Sequence, residues 1–154
     1  MGTRLIVWGA GLLLVVLLVA GCGGGDDSSG ESISKEEFIA KADAICKQGN
    51  ERMEAGFAKR LKGVKSLNKL KKGEYEQLIS EVMVPSLEKE IEELRALGVP
   101  EGDEERVEAM LAALEEGQET AERNPAAVNA SSDAVFGIAS RLASEYGLEV
   151  CGSR

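Results

Sequence analysis

The sequence predicts an all-α domain, an up-and-down four-helix bundle with a proline-kinked second helix and one disulfide, and three observations carry the prediction. Apolar residues recur at spacings of three and four in four successive stretches. No stretch sustains the period-2 alternation of β-branched and aromatic residues that a half-buried strand shows. Helix start and stop residues bracket the apolar runs.

The first helix opens with Ser34 as N-cap and Glu37 three residues on, the pattern of a capping box, while Ile33 and Phe38 occupy the two positions of a hydrophobic staple. Its apolar stripe runs Phe38, Ala42, Ile45, Cys46, Gly49, Met53, Phe57, Leu61 and Val64, with a bend or break expected near Gly63 and a stop at Gly73. The second begins near Glu74 with Tyr75, Leu78, Ile79, Val82 and Met83. It then meets Pro85, which lacks a backbone donor and crowds the carbonyl of Glu81, so a kink is expected there. Periodicity resumes at Leu87, Ile91, Leu94 and Leu97 and stops at Gly98, Val99 and Pro100. Asp103 is the expected cap of the third helix, whose stripe is Val107, Met110, Leu111, Leu114, Gln118 and Ala121. The last helix carries Val128, Val135, Phe136, Ile138, Ala139, Leu142 and Tyr146. It starts at Asn124-Pro125 or, alternatively, at Ser131 to Asp133, and stops at Gly147.

Ahead of these helices lies a segment of another kind. Leu5 to Ala20 is an uncharged apolar run of 16 residues behind Arg4. That is shorter than the roughly 20 residues a spanning helix needs and suits the core of an export signal. Val19-Ala20-Gly21-Cys22 then resembles the lipobox of bacterial lipoproteins, which implies acylation of Cys22, cleavage before it and a chain starting there; the alternative is an uncleaved signal anchor with an incidental cysteine. Gly23 to Ser32 carries no apolar side chain to bury and is expected to be a flexible tether. The expected organisation is therefore a signal over 1–21, the lipidated cysteine and tether over 22–33, and a helical domain over 34–154. Two acyl chains on Cys22 suffice for stable membrane anchoring.

Cys46 and Cys151 remain, an even number in an exported chain, and one intramolecular pairing is open to them; two separate buried thiols are the alternative. Cys46 is about 18 Å along a helix from Ser34, and the five residues after Tyr146 reach back at most about 17 Å, so the pair can meet if the last helix runs antiparallel to the first.

The chain of 154 residues has no histidine, which removes the commonest general base and metal ligand. Residues 22–154 keep all 27 acidic side chains and lose Arg4, for a formal charge of −10, which argues against nucleic acid as a partner. Acidic runs at 88–93 and 101–108 lack the Glu-x-x-His pairs of di-metal bundles and the Asp-rich loop of an EF-hand, and are expected to be solvated helix faces. No Ser or Lys sits in a nucleophile motif such as Gly-x-Ser-x-Gly.

Taken with the lipobox, three further pieces resemble a group of small exported lipoproteins of the high-GC, actinobacterial type that carry a two-cysteine helical domain. These are Ala42-Asp43-Ala44-Ile45-Cys46-Lys47, Leu94-Arg95-Ala96-Leu97-Gly98-Val99-Pro100, and Tyr146-Gly147-Leu148 with Cys151-Gly152. The resemblance implies a helical exported domain and no particular activity.

Charge is unevenly placed. From Lys47 to Lys72 nine basic residues face Glu51 and Glu54, whereas from Glu74 to Glu122 sixteen acidic residues face Lys89, Arg95 and Arg106. Complementarity between the first two helices is one reading; contact of the basic segment 59–72 with an anionic surface is the other. The functional expectation is a non-enzymatic module at the extracytoplasmic face of the cell membrane, with an envelope protein or a small ligand as partner. A carboxylate-dependent cell-wall hydrolase and a passive spacer are the alternatives. No catalytic, cofactor-binding or metal residue is assigned, and no cofactor is implied; the residues assigned are Cys22 for lipidation and Cys46 with Cys151 for the disulfide.

Overall fold

The computed structural model describes residues 33–62 and 70–153. The expected signal, Cys22, the tether as far as residue 32 and most of the basic segment's interior lie outside the described residues.

The described residues are helical and include no strand. Helix α1 spans Lys35–Arg60, α2 Lys72–Leu78, a π-helical turn Ile79–Met83, α3 Val84–Arg95, α4 Glu104–Arg123, α5 Pro125–Ala130 and α6 Ser132–Tyr146, with a 3-10 turn at Cys151–Ser153. Ser34 caps α1 by accepting from the Glu37 N–H at 3.1 Å, and Ile33 packs on the core beside Phe38. The Glu37 carboxylate pairs with Lys41 at 2.7 Å.

The start signals near residue 72 work differently from expectation. Gly73 does not stop the first helix, which already ends at Arg60; it lies in the first turn of α2. That helix starts two residues early because the Glu74 carboxylate reaches back to accept from the Lys71 N–H at 2.8 Å.

Around Pro85 the chain does not break. Residues 72–95 run on as α2, the π turn and α3, and within the turn the Val84 N–H donates to the Ile79 carbonyl, five residues back. Widening the helix by one residue is a standard way of accommodating a side chain that cannot fit the α ladder. The Ser86 hydroxyl donates to the Val82 carbonyl at 2.7 Å, four residues back.

The last expected helix is two. The chain uses both start signals: α5 begins at Pro125, and Ser131 caps α6 by accepting from the Ala134 N–H at 3.1 Å. Gly147, at φ 110°, closes α6 with Leu148 donating back to the Ala143 carbonyl at 2.9 Å, a Schellman pattern whose following apolar residue is buried.

α4 packs on α6 and on α3, and α3 packs on α1. Two apolar clusters result. One joins Phe38, Ala42, Leu94, Val107, Leu111, Ala143, Tyr146 and Leu148, where α1 begins and α6 ends. The other joins Ile79, Val84, Ala121 and Val128, with Tyr75, Met83, Val135 and Phe136 packed against it, where α5 and the π turn meet.

Cys46 and Cys151 form a disulfide, their Cα atoms 5.3 Å apart. Beside it Asp43, one turn before Cys46, accepts three backbone N–H groups: Glu149 at 3.0 Å, Val150 at 2.9 Å and Cys151 at 3.1 Å. The C-terminal turn is thus held to α1 by a covalent bond and a carboxylate cap.

Candidate functional site

Between the two clusters lies a cavity of about 370 Å³. Apolar side chains make most of its wall. Met53 comes from α1, Met83 from the π turn, Leu87 and Leu94 from α3, Met110, Leu111 and Leu114 from α4, and Phe136, Ala139 and Ala143 from α6. The disulfide forms part of the same wall. Ser132 and Ser153, both exposed, also line it and stand where it meets the surface.

Among the described residues the polar exception in the interior is Glu90, which is wholly removed from solvent, at 0 % exposure. Its position follows from the helix register. Glu90 is three residues after Leu87 and four before Leu94, so it shares their face rather than that of its neighbours in the acidic run. Expecting the whole run 88–93 to be solvated was therefore wrong at this residue, although Glu88 and Glu92 are exposed. The signal was available in the spacing.

Glu90 Oε1 lies 3.6 Å from the Cys46 sulfur. A disulfide sulfur has no proton to donate, so this contact places the carboxyl against the bridge without supplying a hydrogen bond. Asn50 and Ser140 add an amide and a hydroxyl to the wall, and among the described residues no Lys or Arg lines it. A carboxyl buried this fully is found where it has partners.

The charged residues elsewhere stitch helices together. Arg52 of α1 pairs with Glu93 of α3 at 3.0 Å, and Arg60 pairs with Glu81 of the π turn, so the basic stretch does meet the acidic one at two points. Arg95 of α3 grips α4 through Glu115 at 2.6 Å and Glu108 at 3.3 Å. Its hydrogen bond holds the Glu115 carboxyl below its ordinary pKa and raises that of the guanidinium. Asp103 stands at the N-cap of α4 as expected, but its side chain makes no cap bond; it accepts from the Tyr146 hydroxyl at 2.8 Å and lies 3.7 Å from Lys35.

Among the described residues no group of three or more His, Cys, Asp or Glu is placed to hold a metal ion, and no helix is long and apolar enough to cross a membrane. Of the residues assigned from sequence, Cys46 and Cys151 are brought together at the cavity wall, and Cys22 lies outside the described residues. Glu90 and Asp43 were missed. Asp43 could not have been found from spacing, because its partners lie more than a hundred residues away.

Compared with known protein families, curated proteins and solved structures, the chain matches none.

Proposed function

We propose that this chain is an extracytoplasmic lipoprotein, held at the cell membrane through acylated Cys22, whose helical domain binds a small ligand without transforming it. The observation that carries the binding half is the cavity: at about 370 Å³ it falls within the range of ligand pockets, roughly 300 to 1,000 Å³, and like them it has an apolar wall with a few polar groups. The anchoring half rests on the lipobox and the uncharged run before it. In the same reading the domain is an up-and-down bundle of α1, the 72–95 helix, α4 and the α5–α6 arm; successive members pack together, and Cys151 returns to α1.

Two features favour a small ligand over a protein partner and over hydrolysis. The large apolar side chains left exposed among the described residues are Val99 and Ile138, single residues rather than a patch. Glycoside hydrolysis draws on two carboxyl groups about 5 to 10 Å apart, and the described residues of the cavity wall bring one.

The test starts from the protein in its own membranes. Palmitate-type label should enter the wild-type chain and be absent from Cys22→Ser, and native mass spectrometry of the gently extracted wild type should show a small-molecule adduct. Label on both proteins would overturn the anchor. A bare protein mass together with a saturable envelope protein in cross-linked cells would overturn the small-ligand reading.

A further inference from the structure

We infer that the cavity takes a small neutral apolar molecule, a compact ring system or short branched chain, held by burial of its surface against a wall of methionine, leucine and phenylalanine side chains. The inference rests on the reading of the cavity as a ligand site and adds the chemical class.

Size comes first. A dry cavity of about 150 Å³ holds one benzene, so about 370 Å³ has room for a ligand of roughly a dozen non-hydrogen atoms. A phospholipid or a sugar polymer exceeds it.

The wall then sets the polarity. Leu87 of α3, Leu114 of α4 and Phe136 of α6 bring apolar side chains to the cavity from three helices, so a ligand there exchanges water for hydrocarbon over much of its surface. The gain grows with the apolar area removed from water. Three of the polar groups on the wall are already engaged: Glu90 and Ser140 each interact within the protein, and the Ser153 hydroxyl donates to the Val150 carbonyl at 3.0 Å. An ion entering the cavity would give up its hydration for this wall, a loss that a neutral molecule does not bear.

The methionines add a second observation. Met53, Met83 and Met110 are every methionine of the described residues, and all three line the cavity. They come from α1, the π turn and α4, so their clustering is a property of the fold and not of a local repeat. Unbranched thioethers adapt to irregular apolar shapes, which suits a site that selects by polarity more than by outline.

The experiment uses the full chain, labelled with carbon-13 at its methionine methyl groups, in nonionic micelles at neutral pH. The probes are three rigid molecules of similar size: 1-adamantanol, the 1-adamantylammonium ion and 1-adamantanecarboxylate. Shifts of the Met53, Met83 and Met110 methyl resonances separate occupancy of the cavity from partition into the micelle and from attraction to the acidic exterior. Affinities are referred to the free probe concentration measured by dialysis. The alcohol should move all three resonances, with a Kd at least about tenfold below that of either ion. Ala139→Leu, whose added carbons occupy the same space, should weaken the alcohol by at least about tenfold.

An ion that binds as tightly as the alcohol overturns the neutral assignment and leaves the ligand site standing. Methyl resonances that no probe moves up to millimolar concentration overturn the ligand site itself. Alcohol binding undiminished in Ala139→Leu puts the probe outside the cavity and overturns both. Should Ala139→Leu not fold, the three-probe comparison on the wild type decides alone.

Discussion

At the end of the domain where α1 begins and α6 finishes, nearly every connection is long in sequence and specific in chemistry. The disulfide spans 105 residues, Asp43 gathers three backbone donors, and the Tyr146 hydroxyl binds Asp103. At the opposite end, where the π turn meets α5, the cluster of Ile79, Val84, Ala121 and Val128 is held by apolar contact. The first end is fastened and the second is packed. Between them lies the cavity, drawing Leu94 and Met110 from one cluster and Met83 and Phe136 from the other. The bridge restricts the unfolded chain and so offsets part of what the empty space costs the folded one.

The largest way to break this difference is to remove the bridge. Replacing Cys46 and Cys151 by Ala should lower stability by about 2 to 5 kcal/mol, since a loop near 100 residues is the kind whose closure restricts the unfolded chain most. Urea unfolding measures the loss. Hydrogen exchange should place the extra opening at residues 147–153 and the adjoining part of α1, with the π-turn end changed less; equal loosening at both ends would contradict the asymmetry.

That fastened end also shows what could be read in the sequence. The disulfide followed from an even cysteine count after Cys22 is set aside, and the Ser34 cap and Gly147 stop are local signals that both operate. Signals within one helical turn were legible because the residues that satisfy them are neighbours in sequence. Asp43, Tyr146 with Asp103, and the cavity were not, since each depends on two or more helices meeting. Two errors were local. A side chain at Gly73 would meet nothing within 4 Å among the described residues, and the Glu74 carboxylate capping Lys71 turned a stop into a start. Glu90 was misread because charge was weighted above register, although its spacing from Leu87 and Leu94 was plain.

Two substitutions that both add bulk should have opposite signs, and they separate packed space from empty space. A Cβ on Gly117 of α4 would stand 2.6 Å from the Phe136 ring and 3.1 Å from the Val135 carbonyl. Gly117→Ala should therefore be destabilising by a net of about 1 to 2 kcal/mol, even after the helix-propensity gain of about 1 kcal/mol. Ala139→Leu places its added atoms in the cavity and should stabilise by about 0.5 to 2 kcal/mol, the usual return for filling a void. Melting temperatures of the two variants against the wild type give both signs in one experiment. A destabilised Ala139→Leu would mean that this space is already filled by the neighbouring methionines.

The smallest effect tests whether the fastened end depends on its hydrogen bonds as well as its bridge. Tyr146 stands edge-on to Phe38 at 5.8 Å between ring centres, with the Lys35 ammonium 4.4 Å above its ring, and donates its hydroxyl to Asp103. Tyr146→Phe keeps the ring and removes the donor, so it should cost about 1 kcal/mol near neutral pH. The alkaline limb distinguishes this from a packing change. Burial, and then the bond to Asp103, raise the Tyr146 pKa above its ordinary value near 10. A group whose folded pKa is raised contributes stability that is fully present below the unfolded value and is lost as pH climbs through the folded one. The wild type should therefore lose stability above about pH 10 more steeply than the variant, and the two curves should converge or cross. Parallel curves through that range would show that the hydroxyl contributes nothing to folding there, leaving the bridge and the Asp43 cap to close that end of the domain.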